Sequence, residues 1–257
     1  MSTRAARLAG ALAALITVAT AVVASGGSSV ADTQPDAGPD TCPFATELIG
    51  RNPHLAMKDA ARILKTECGY RFRAGQQNSH LVITQVGNKL KFADRGTDRI
   101  DKLPSACTEI KGVRGIAATC RIPYDLSVDN RLLVEVWPRL GDDFVDGSTL
   151  SALFSMTVLG DAGRDTALMG AGPDFFNGAF DNDRVRGGAG DDWIRTGDQH
   201  DRVQGGLGRD HITGGYGDDT IDGGGDADRI YCGAGRDKAT RDAGDLTVWK
   251  CETVTKS

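Results

Sequence analysis

The segment Gly187–Ile194 reads GGAGDDWI, and the same pattern returns in Gly205–Ile212 (GGLGRDHI) and in Gly214–Ile221 (GGYGDDTI). Each copy has glycine at positions one, two and four, aspartate at position six and an apolar residue at position eight. This nonapeptide pattern is typical of a parallel β-helix built from stacked turns. The three copies therefore predict a parallel β-solenoid.

The sixth-position aspartate recurs every nine residues, without a gap, from residue 165 to residue 237. The series is Asp165, Asp174, Asp183, Asp192, Asp201, Asp210, Asp219, Asp228 and Asp237. The eighth positions are all apolar: Ala167, Phe176, Val185, Ile194, Val203, Ile212, Ile221, Ile230 and Ala239. Each nonapeptide is therefore interpreted as a six-residue turn, in which glycine permits positive φ, followed by a three-residue strand with its middle side chain facing inward.

Two nonapeptides are expected to form one coil, so that equivalent turns on one side lie eighteen residues apart. One ladder then holds Asp174, Asp192, Asp210 and Asp228, and the other holds Asp165, Asp183, Asp201, Asp219 and Asp237. Coils stack about 4.8 Å apart, and like charges at about 5 Å cost about 3 kcal/mol at an effective dielectric constant of about 20. Leu246 occupies the next sixth position, which predicts that the series ends at Asp237.

A hard divalent cation with oxygen ligands would remove this repulsion. Ca²⁺ accepts roughly six to eight oxygens in flexible geometry, whereas Mg²⁺ demands an octahedron and retains its waters. Residues 160–245 contain 18 aspartates and no glutamate, together with 21 of the 34 glycines. Exclusive use of the shorter acid favours carboxylates placed against tight turns, where Ca²⁺ could bind them. Because the predicted core is thin, we expect metal binding and folding to be coupled.

Residues 160–245 resemble the RTX, or haemolysin-type, calcium-binding repeats of secreted bacterial proteins. The resemblance implies a parallel β-roll in which Ca²⁺ lies between successive turns, bound by sixth-position aspartates and by carbonyls of the glycine turns. The metal-site residues that it implies are Asp174, Gly188, Gly190, Asp192, Gly206, Gly208, Asp210 and Asp228 on one ladder, and Asp183, Asp201, Gly215, Gly217, Asp219, Gly233, Gly235 and Asp237 on the other.

Some turns depart from the pattern at the fourth position, where glycine is replaced. Gln199 stands there before Asp201, and aspartate stands there at residues 181 and 226. Aspartate tolerates the left-handed conformation better than glutamine does, so the turn containing Gln199 is expected to be weaker. The site between Asp192 and Asp210 is expected to be the strongest. The alternative is a solenoid held by packing alone, in which the aspartates serve turn geometry and solubility.

The first 31 of the 257 residues have the features of a signal peptide. Arg4 and Arg7 precede an apolar run, Leu8–Ala24, and small residues follow at 29–31. The run is short for a membrane anchor, so secretion is predicted, followed by a linker over residues 32–41. The formal net charge of −5 disfavours nucleic acid as a partner, because phosphates require a basic face.

Six cysteines in an exported chain predict disulfides. Roughly fifteen pairings are possible in principle for six cysteines, and pairing of sequence neighbours is preferred. The preferred pairs are Cys42–Cys68, Cys107–Cys120 and Cys232–Cys251.

The fold class predicted is mainly β, a parallel β-roll over residues 160–245 preceded by a small disulfide-bridged helical/β cap region. A helical cap is expected over residues 42–79, because Asn52-Pro53 suits a helix start and residues 55–64 carry an apolar stripe at helical spacing. Residues 80–159 are expected to be an irregular β lead-in, with Gly141-Asp142-Asp143 echoing the repeat 22 residues before Asp165. Residues 246–257 are expected to form a C-terminal cap.

Three functions remain open at this stage. The first is a secreted calcium-binding protein that folds on binding Ca²⁺, and the second is a cell-surface adhesion protein that uses the stiffened solenoid as a scaffold. The third is a hydrolase with accessory repeats, but no H-E-x-x-H, G-x-S-x-G or P-loop motif occurs. The sequence therefore favours a protein that is not an enzyme, with calcium ions as its partners, no membrane span and a possible partner in the cell envelope.

Overall fold

The computed structural model describes residues 60–75, 78–123 and 125–257, all of which lie in one compact unit. These residues form strands and no helix. The strands are β1 (Ala60–Lys65), β2 (Gly69–Arg73), β3 (His80–Val86), β4 (Lys89–Asp94), β5 (Arg99–Lys102), β6 (Cys107–Glu109), β7 (Ile116–Arg121), β8 (Leu132–Trp137), β9 (Phe144–Asp146), β10 (Phe154–Ala162), β11 (Thr166–Leu168), β12 (Phe175–Phe180), β13 (Arg184–Ala189), β14 (Trp193–Asp198), β15 (Arg202–Leu207), β16 (His211–Tyr216), β17 (Thr220–Gly225), β18 (Arg229–Ala234), β19 (Lys238–Arg241), β20 (Thr247–Trp249) and β21 (Thr253–Lys256).

From β8 onward the chain alternates between two parallel sheets. The first sheet runs in the order β20-β18-β16-β14-β12-β10-β8-β2-β1-β5, and the second in the order β21-β19-β17-β15-β13-β11-β9-β3-β4-β7-β6. Within the repeats the register shift is eighteen residues, as in the pairing of Ile194 with Ile212. The predicted parallel β-roll, with two nonapeptides in each coil, is confirmed.

The inward side of each strand builds a narrow apolar core. All nine predicted eighth-position residues are at most 4% exposed and belong to one hydrophobic cluster. Ile212, for example, pairs in register with Ile194 on one side and with Ile230 on the other. Stacking identical positions in adjacent coils therefore fills the core with like side chains along the solenoid axis.

The division of each nonapeptide differs from the prediction. The strands are mostly six residues long, as in β14 and β15, and only the fourth to sixth positions form the turn. The first two glycines of a repeat continue the preceding strand, and Gly188 pairs in register with Gly206. Both of these glycines keep a positive φ, at 105° and 125°, so the strand bends toward the turn while its ladder continues.

The solenoid extends upstream of residue 160. β8 and β9 pair in parallel with β10 and β11, and Phe144 stands opposite Thr166, 22 residues away rather than eighteen. Because β9 ends at residue 146 and β10 begins at residue 154, the four additional residues of this coil lie between these two strands. Asp143 therefore occupies a sixth position of the same stack. The antiparallel pairs β1–β2, β3–β4, β4–β7 and β6–β7 cover the upstream end.

The predicted helical cap is wrong for the residues that the structure describes. Residues 60–65, expected in a helix, form β1, which pairs antiparallel with β2 and parallel with β5. Ala61 and Ile63 point into the core cluster. Backbone pairing at the end of a sheet overrides local helical periodicity, since propensity is weak against tertiary contacts. Residues 42–59, including the Asn52-Pro53 pair, lie outside the described residues.

Two of the three preferred disulfides are present. Cys107–Cys120 joins β6 to β7, and Cys232–Cys251 joins β18 to the segment after β20. Cys68 is also in a disulfide, and its predicted partner, Cys42, lies outside the described residues, as do the predicted signal peptide and linker. In the described part of the chain, no helix is long and apolar enough to cross a membrane.

Substitution of Ile212 by alanine should lower the free energy of unfolding by about 2–5 kcal/mol, because a fully buried branched side chain leaves a cavity between two neighbouring coils. Tyr216→Ala, at a side chain that is 69% exposed, should change it by less than about 0.5 kcal/mol. Urea denaturation at fixed calcium concentration, followed by circular dichroism, measures both. Equal losses for the two variants would contradict the stacked core.

Candidate metal centre

The sixth-position aspartates are the buried charged residues of the repeats. All nine are at most 3% exposed, because the turn directs each carboxylate back into the solenoid, against the adjacent coil. The fifth-position side chains point outward instead, and those of Asp191 and Asp218 are 43% and 38% exposed. The adjacent aspartates of an Asp-Asp pair therefore occupy opposite environments.

One carboxylate oxygen of each aspartate joins two coils. The backbone N–H of Asp192 donates to Oδ1 of Asp210 at 3.0 Å, and that of Asp210 donates to Oδ1 of Asp228 at 2.9 Å. The second ladder repeats this geometry from Asp165 to Asp237, with N–O distances of 2.8–2.9 Å. The two ladders expected from the eighteen-residue spacing are therefore continuous hydrogen-bonded columns.

The second carboxylate oxygen has no hydrogen-bond partner in eight of the nine aspartates. The buried and unpartnered Oδ2 atoms belong to Asp165, Asp183, Asp192, Asp201, Asp210, Asp219, Asp228 and Asp237. Asp174 is the exception, because its Oδ2 accepts the N–H of Gly170 at 2.8 Å. A buried charged oxygen without a donor is costly, so each of these atoms requires a proton or a cation.

In the six turns that have glycine at the first position, the unpartnered Oδ2 lies beside that glycine. A Cβ added to Gly187 would overlap Oδ2 of Asp192 and would lie 2.5 Å from the carbonyl oxygen of Gly205, in the next coil. A Cβ added to Gly214 would overlap Oδ2 of Asp219 in the same way and would lie 2.5 Å from the carbonyl oxygen of Cys232. We call this small volume, left by the missing side chain, the first-position space. The aspartate Oδ2 of the same turn and a backbone carbonyl oxygen of the next coil border this space.

The glycines at the second and fourth positions allow adjacent turns to approach closely. Gly206 and Gly208 have φ of 125° and 115°, and a Cβ on either would overlap a backbone carbonyl oxygen of the preceding coil. The three fourth positions without glycine keep the left-handed conformation, with φ of 74° at Asp181, 78° at Gln199 and 81° at Asp226. The turn containing Gln199 therefore retains the backbone conformation of its neighbours.

Burial raises the pKa of the sixth-position carboxyls well above that of an exposed aspartate. Desolvation, together with the charges of Asp174 and Asp210, raises the pKa of Asp192 to about 10. Burial likewise raises the pKa of Asp183 to about 8, and those of Asp210 and Asp219 to about 7. The ionised ladder is therefore unfavourable unless a cation compensates for the lost hydration.

The exposed fifth positions are neutralised differently, by arginine from a neighbouring coil. Arg209 donates to Asp191 at 3.1 Å, and Arg236 donates to Asp218 at 2.8 Å. The hydrogen bonds from Arg236 hold the pKa of Asp218 below its ordinary value. Such exposed pairs contribute little to stability because solvent screens them, and they leave the sixth-position carboxylates without a basic partner.

Three acidic residues outside the predicted series extend the two ladders. Oδ1 of Asp143 accepts the N–H of Ser79 at 2.5 Å, and its Oδ2 is also unpartnered. Asp245 accepts the N–H of Asp228 at 3.3 Å, and Glu252 accepts that of Asp237 at 2.7 Å. The expected end of the series before Leu246 is therefore wrong, because an acid one residue earlier continues the hydrogen bonding. The Gly141-Asp142-Asp143 motif signals the first of these residues, whereas nothing in the spacing signals Glu252.

The donor set fits a hard cation. In the described part of the chain, no group of three or more His, Cys, Asp or Glu side chains is placed to hold a metal. A cation here must therefore take backbone carbonyl oxygens together with a carboxylate. Each first-position space between glycine turns offers that combination, and it suits Ca²⁺ better than a soft metal that prefers nitrogen or sulfur.

A family model described as the RTX calcium-binding nonapeptide repeat (4 copies) matches residues 169–203, 177–212 and 204–239. Residues 169–239 are RTX calcium-binding repeats. The match agrees with the β-roll and the aspartate ladders, and it supports the RTX-type calcium-binding repeats that the sequence predicts for this segment. No curated protein and no solved structure is significantly similar to the chain.

Without calcium, the RTX repeats should be more stable at about pH 5 than at about pH 8. The folded-state pKa values of Asp183, Asp210 and Asp219 are raised to about 7 or 8, against about 3.9 in an unfolded chain. The folded state thus binds more protons than the unfolded state between these values, and its stability falls as the pH rises through them. Melting temperatures in chelator-treated buffer measure this, and a melting temperature that rises over the same range would contradict it.

Proposed function

We propose that this is a secreted protein whose RTX repeats bind Ca²⁺ between coils and fold when they bind it. The observation that carries the proposal is the set of eight buried Oδ2 atoms without a hydrogen-bond donor. In five glycine turns, the carbonyl oxygen of the adjacent coil faces the same first-position space. A calcium ion would supply positive charge to both oxygens in each of these turns.

The ligands proposed are the sixth-position carboxylates together with carbonyl oxygens of the glycine turns. The turns of Asp192, Asp210 and Asp219 support this best, because each has glycine at its first, second and fourth positions. In each of these three turns, a Cβ at the first position would overlap both the unpartnered Oδ2 and a carbonyl oxygen. The glycines at the second and fourth positions act through the backbone, since they let the turns approach closely enough for carbonyls of two coils to share an ion.

Coupling between binding and folding follows from the balance of charge and core in each coil. A coil contributes two eighth-position side chains to the core, and some of these are as small as Ala167 and Ala239. The same coil buries two carboxylates whose ionised form is unfavourable at neutral pH. A ligand that binds only the folded array shifts the folding equilibrium by mass action, and calcium would act here as that ligand.

The proposed location outside the cell rests on the disulfides and on the predicted signal peptide. Cys107–Cys120 and Cys232–Cys251 are formed, and such bonds persist in oxidising compartments. We propose a structural role rather than catalysis, with the calcium-bound solenoid as the functional form. A partner in the cell envelope stays a prediction from the sequence.

Addition of millimolar calcium to the chelated protein should increase the β signal in circular dichroism and raise the melting temperature. Loss of an outer-shell partner weakens a metal site by roughly 10- to 100-fold. The double variant Asp192→Asn/Asp210→Asn removes two proposed ligands themselves. The calcium concentration at the midpoint of its transition should therefore rise by at least that factor. At about pH 8 and without calcium, the same variant should melt above the unmodified protein, because a neutral amide replaces the buried Asp210 carboxylate, which is ionised above its raised pKa of about 7.

Asp191→Asn is the matched control. Asp191 precedes Asp192, but it lies in an exposed ion pair with Arg209, so its loss should leave the calcium midpoint within about twofold, equivalent to less than about 0.5 kcal/mol. If calcium changes neither the spectrum nor the melting temperature of the unmodified protein, the proposed function is wrong. Equal shifts of the calcium midpoint for Asp191→Asn and the double variant would show that the sixth-position carboxylates are not ligands.

A further inference from the structure

The first position of the nonapeptide is not glycine in every repeat. Six of the nine repeats have glycine there: Gly160, Gly178, Gly187, Gly205, Gly214 and Gly223. The other three have Met169, Thr196 and Cys232, whose side chains point inward and are at most 2% exposed. In these three turns a side chain stands where the glycine turns leave the first-position space.

Thr196 makes a specific contact in that position. Its Oγ1 donates to the carbonyl oxygen of Gly214, eighteen residues away, at 3.1 Å. The equivalent carbonyl oxygens at glycine turns are those of Gly205, opposite Gly187, and of Cys232, opposite Gly214. At those turns this oxygen and the aspartate Oδ2 both border the first-position space, whereas in the turn of Asp201 the oxygen accepts a hydrogen bond from a hydroxyl.

The rest of the Asp201 turn matches the turns of its ladder. Gly197 has φ of 113° and Gln199 has φ of 78°, both left-handed as in the repeats on either side. Asp201 is 1% exposed, and its Oδ1 accepts the N–H of Asp183 at 2.8 Å. The backbone and the aspartate are therefore placed as in an ion-binding turn. Among the motif's glycine positions, two differ from both ladder neighbours, the turns of Asp183 and Asp219. Thr196 stands at the first position, where both neighbours have glycine, and Gln199 stands at the fourth, where it keeps the left-handed conformation.

The turn of Asp174 also has a side chain instead of glycine at its first position and a protein donor for one of its oxygens. Its first position is Met169, which belongs to the core cluster. Asp174 is the one member of the series that does not have an unpartnered Oδ2, because the N–H of Gly170 donates to that atom. In the Asp174 turn the donor reaches Oδ2, whereas in the Asp201 turn it reaches the carbonyl oxygen of Gly214. Oδ2 of Asp201 keeps no hydrogen-bond partner, so without an ion it must take a proton.

We propose that the first-position residue decides which turns take calcium, and that Thr196 replaces the ion in the turn of Asp201. The inference rests on the proposed calcium function and deepens it. The hydroxyl satisfies the carbonyl of Gly214, and the atoms of the side chain occupy the volume that an ion would need. The second ladder thus has a calcium-independent turn between the ion-binding turns of Asp183 and Asp219. The Met169 turn is calcium-independent as well.

The first test compares two isosteric variants that keep the first position unchanged. Bound calcium per chain is counted by equilibrium dialysis at saturating calcium, with the metal measured by mass spectrometry. Asp192→Asn should lose one ion per chain, because Gly187 leaves its first-position space open. Asp201→Asn should bind as many ions as the unmodified protein. Loss of one ion in Asp201→Asn would overturn the inference.

The second test opens the Thr196 turn. Thr196→Gly should gain one ion per chain and should melt at a lower temperature than the unmodified protein when calcium is removed. Thr196→Ser keeps the hydroxyl and should keep the ion count of the unmodified protein. Thr220→Gly, at an exposed strand position, is the control for the general cost of replacing threonine by glycine and should gain no ion.

These experiments distinguish failure of the proposed calcium function from failure of the inference about Thr196. If the unmodified protein binds no calcium, the proposed function fails and the inference fails with it. If it binds calcium but Thr196→Gly, shown by circular dichroism to be folded, binds the same number of ions, only the inference fails. If Thr196→Gly does not fold even with calcium, the comparison of Asp201→Asn with Asp192→Asn decides the question without it.

Discussion

The columns of buried carboxylates are the constraint on which the rest of this solenoid depends. Each sixth-position aspartate binds the backbone of the adjacent coil through Oδ1, so the columns hold the coils in register. The same arrangement places ionisable groups at coil spacing inside a narrow core, where hydration is lost. Residues 160–245 use only aspartate as an acid, and its short side chain places one carboxylate oxygen against the adjacent coil and the other beside its own turn.

The glycines of the turns provide the space that these carboxylate columns need. A carboxylate that turns inward needs room beside the first-position residue, and stacked turns need backbones in direct contact at the second and fourth positions. Gly187 and Gly205 serve the first need, and Gly188 and Gly190 serve the second. The glycine positions of the motif are therefore the places where a side chain would collide with the sixth-position aspartate or with the backbone of the adjacent coil. The outward fifth positions have no such restriction and accommodate arginine, histidine, proline and alanine.

The sequence predicted most reliably what it repeats most often. The sixth-position aspartate and the inward eighth position each occur nine times at nine-residue spacing, so a single departure such as Gln199 does not obscure the pattern from which the coil and the two ladders are inferred. Pairing of cysteines close in sequence was correct for Cys107–Cys120 and Cys232–Cys251 because each pair bridges adjacent segments. The strand formed by Ala60–Lys65 could not be predicted in this way, since it depends on partners in β2 and β5 that are specified elsewhere. The roles of Glu252 and of the Thr196 hydroxyl also escaped the sequence, because each occurs once and acts on a residue of another coil.

The strict alternation between the two sheets has a consequence for how such an array can change length. Every nonapeptide moves the chain to the opposite sheet, and the closing strands β20 and β21 each complete a particular sheet. Gain or loss of a single repeat would exchange the two sides for all residues downstream, and an arginine–aspartate pair that spans the change, such as Asp191 with Arg209, would lose its eighteen-residue spacing. Duplication or deletion of whole coils keeps both closures intact. The array can therefore change length without exchanging its two sheets only by pairs of repeats, although the unit visible in the sequence is the single repeat.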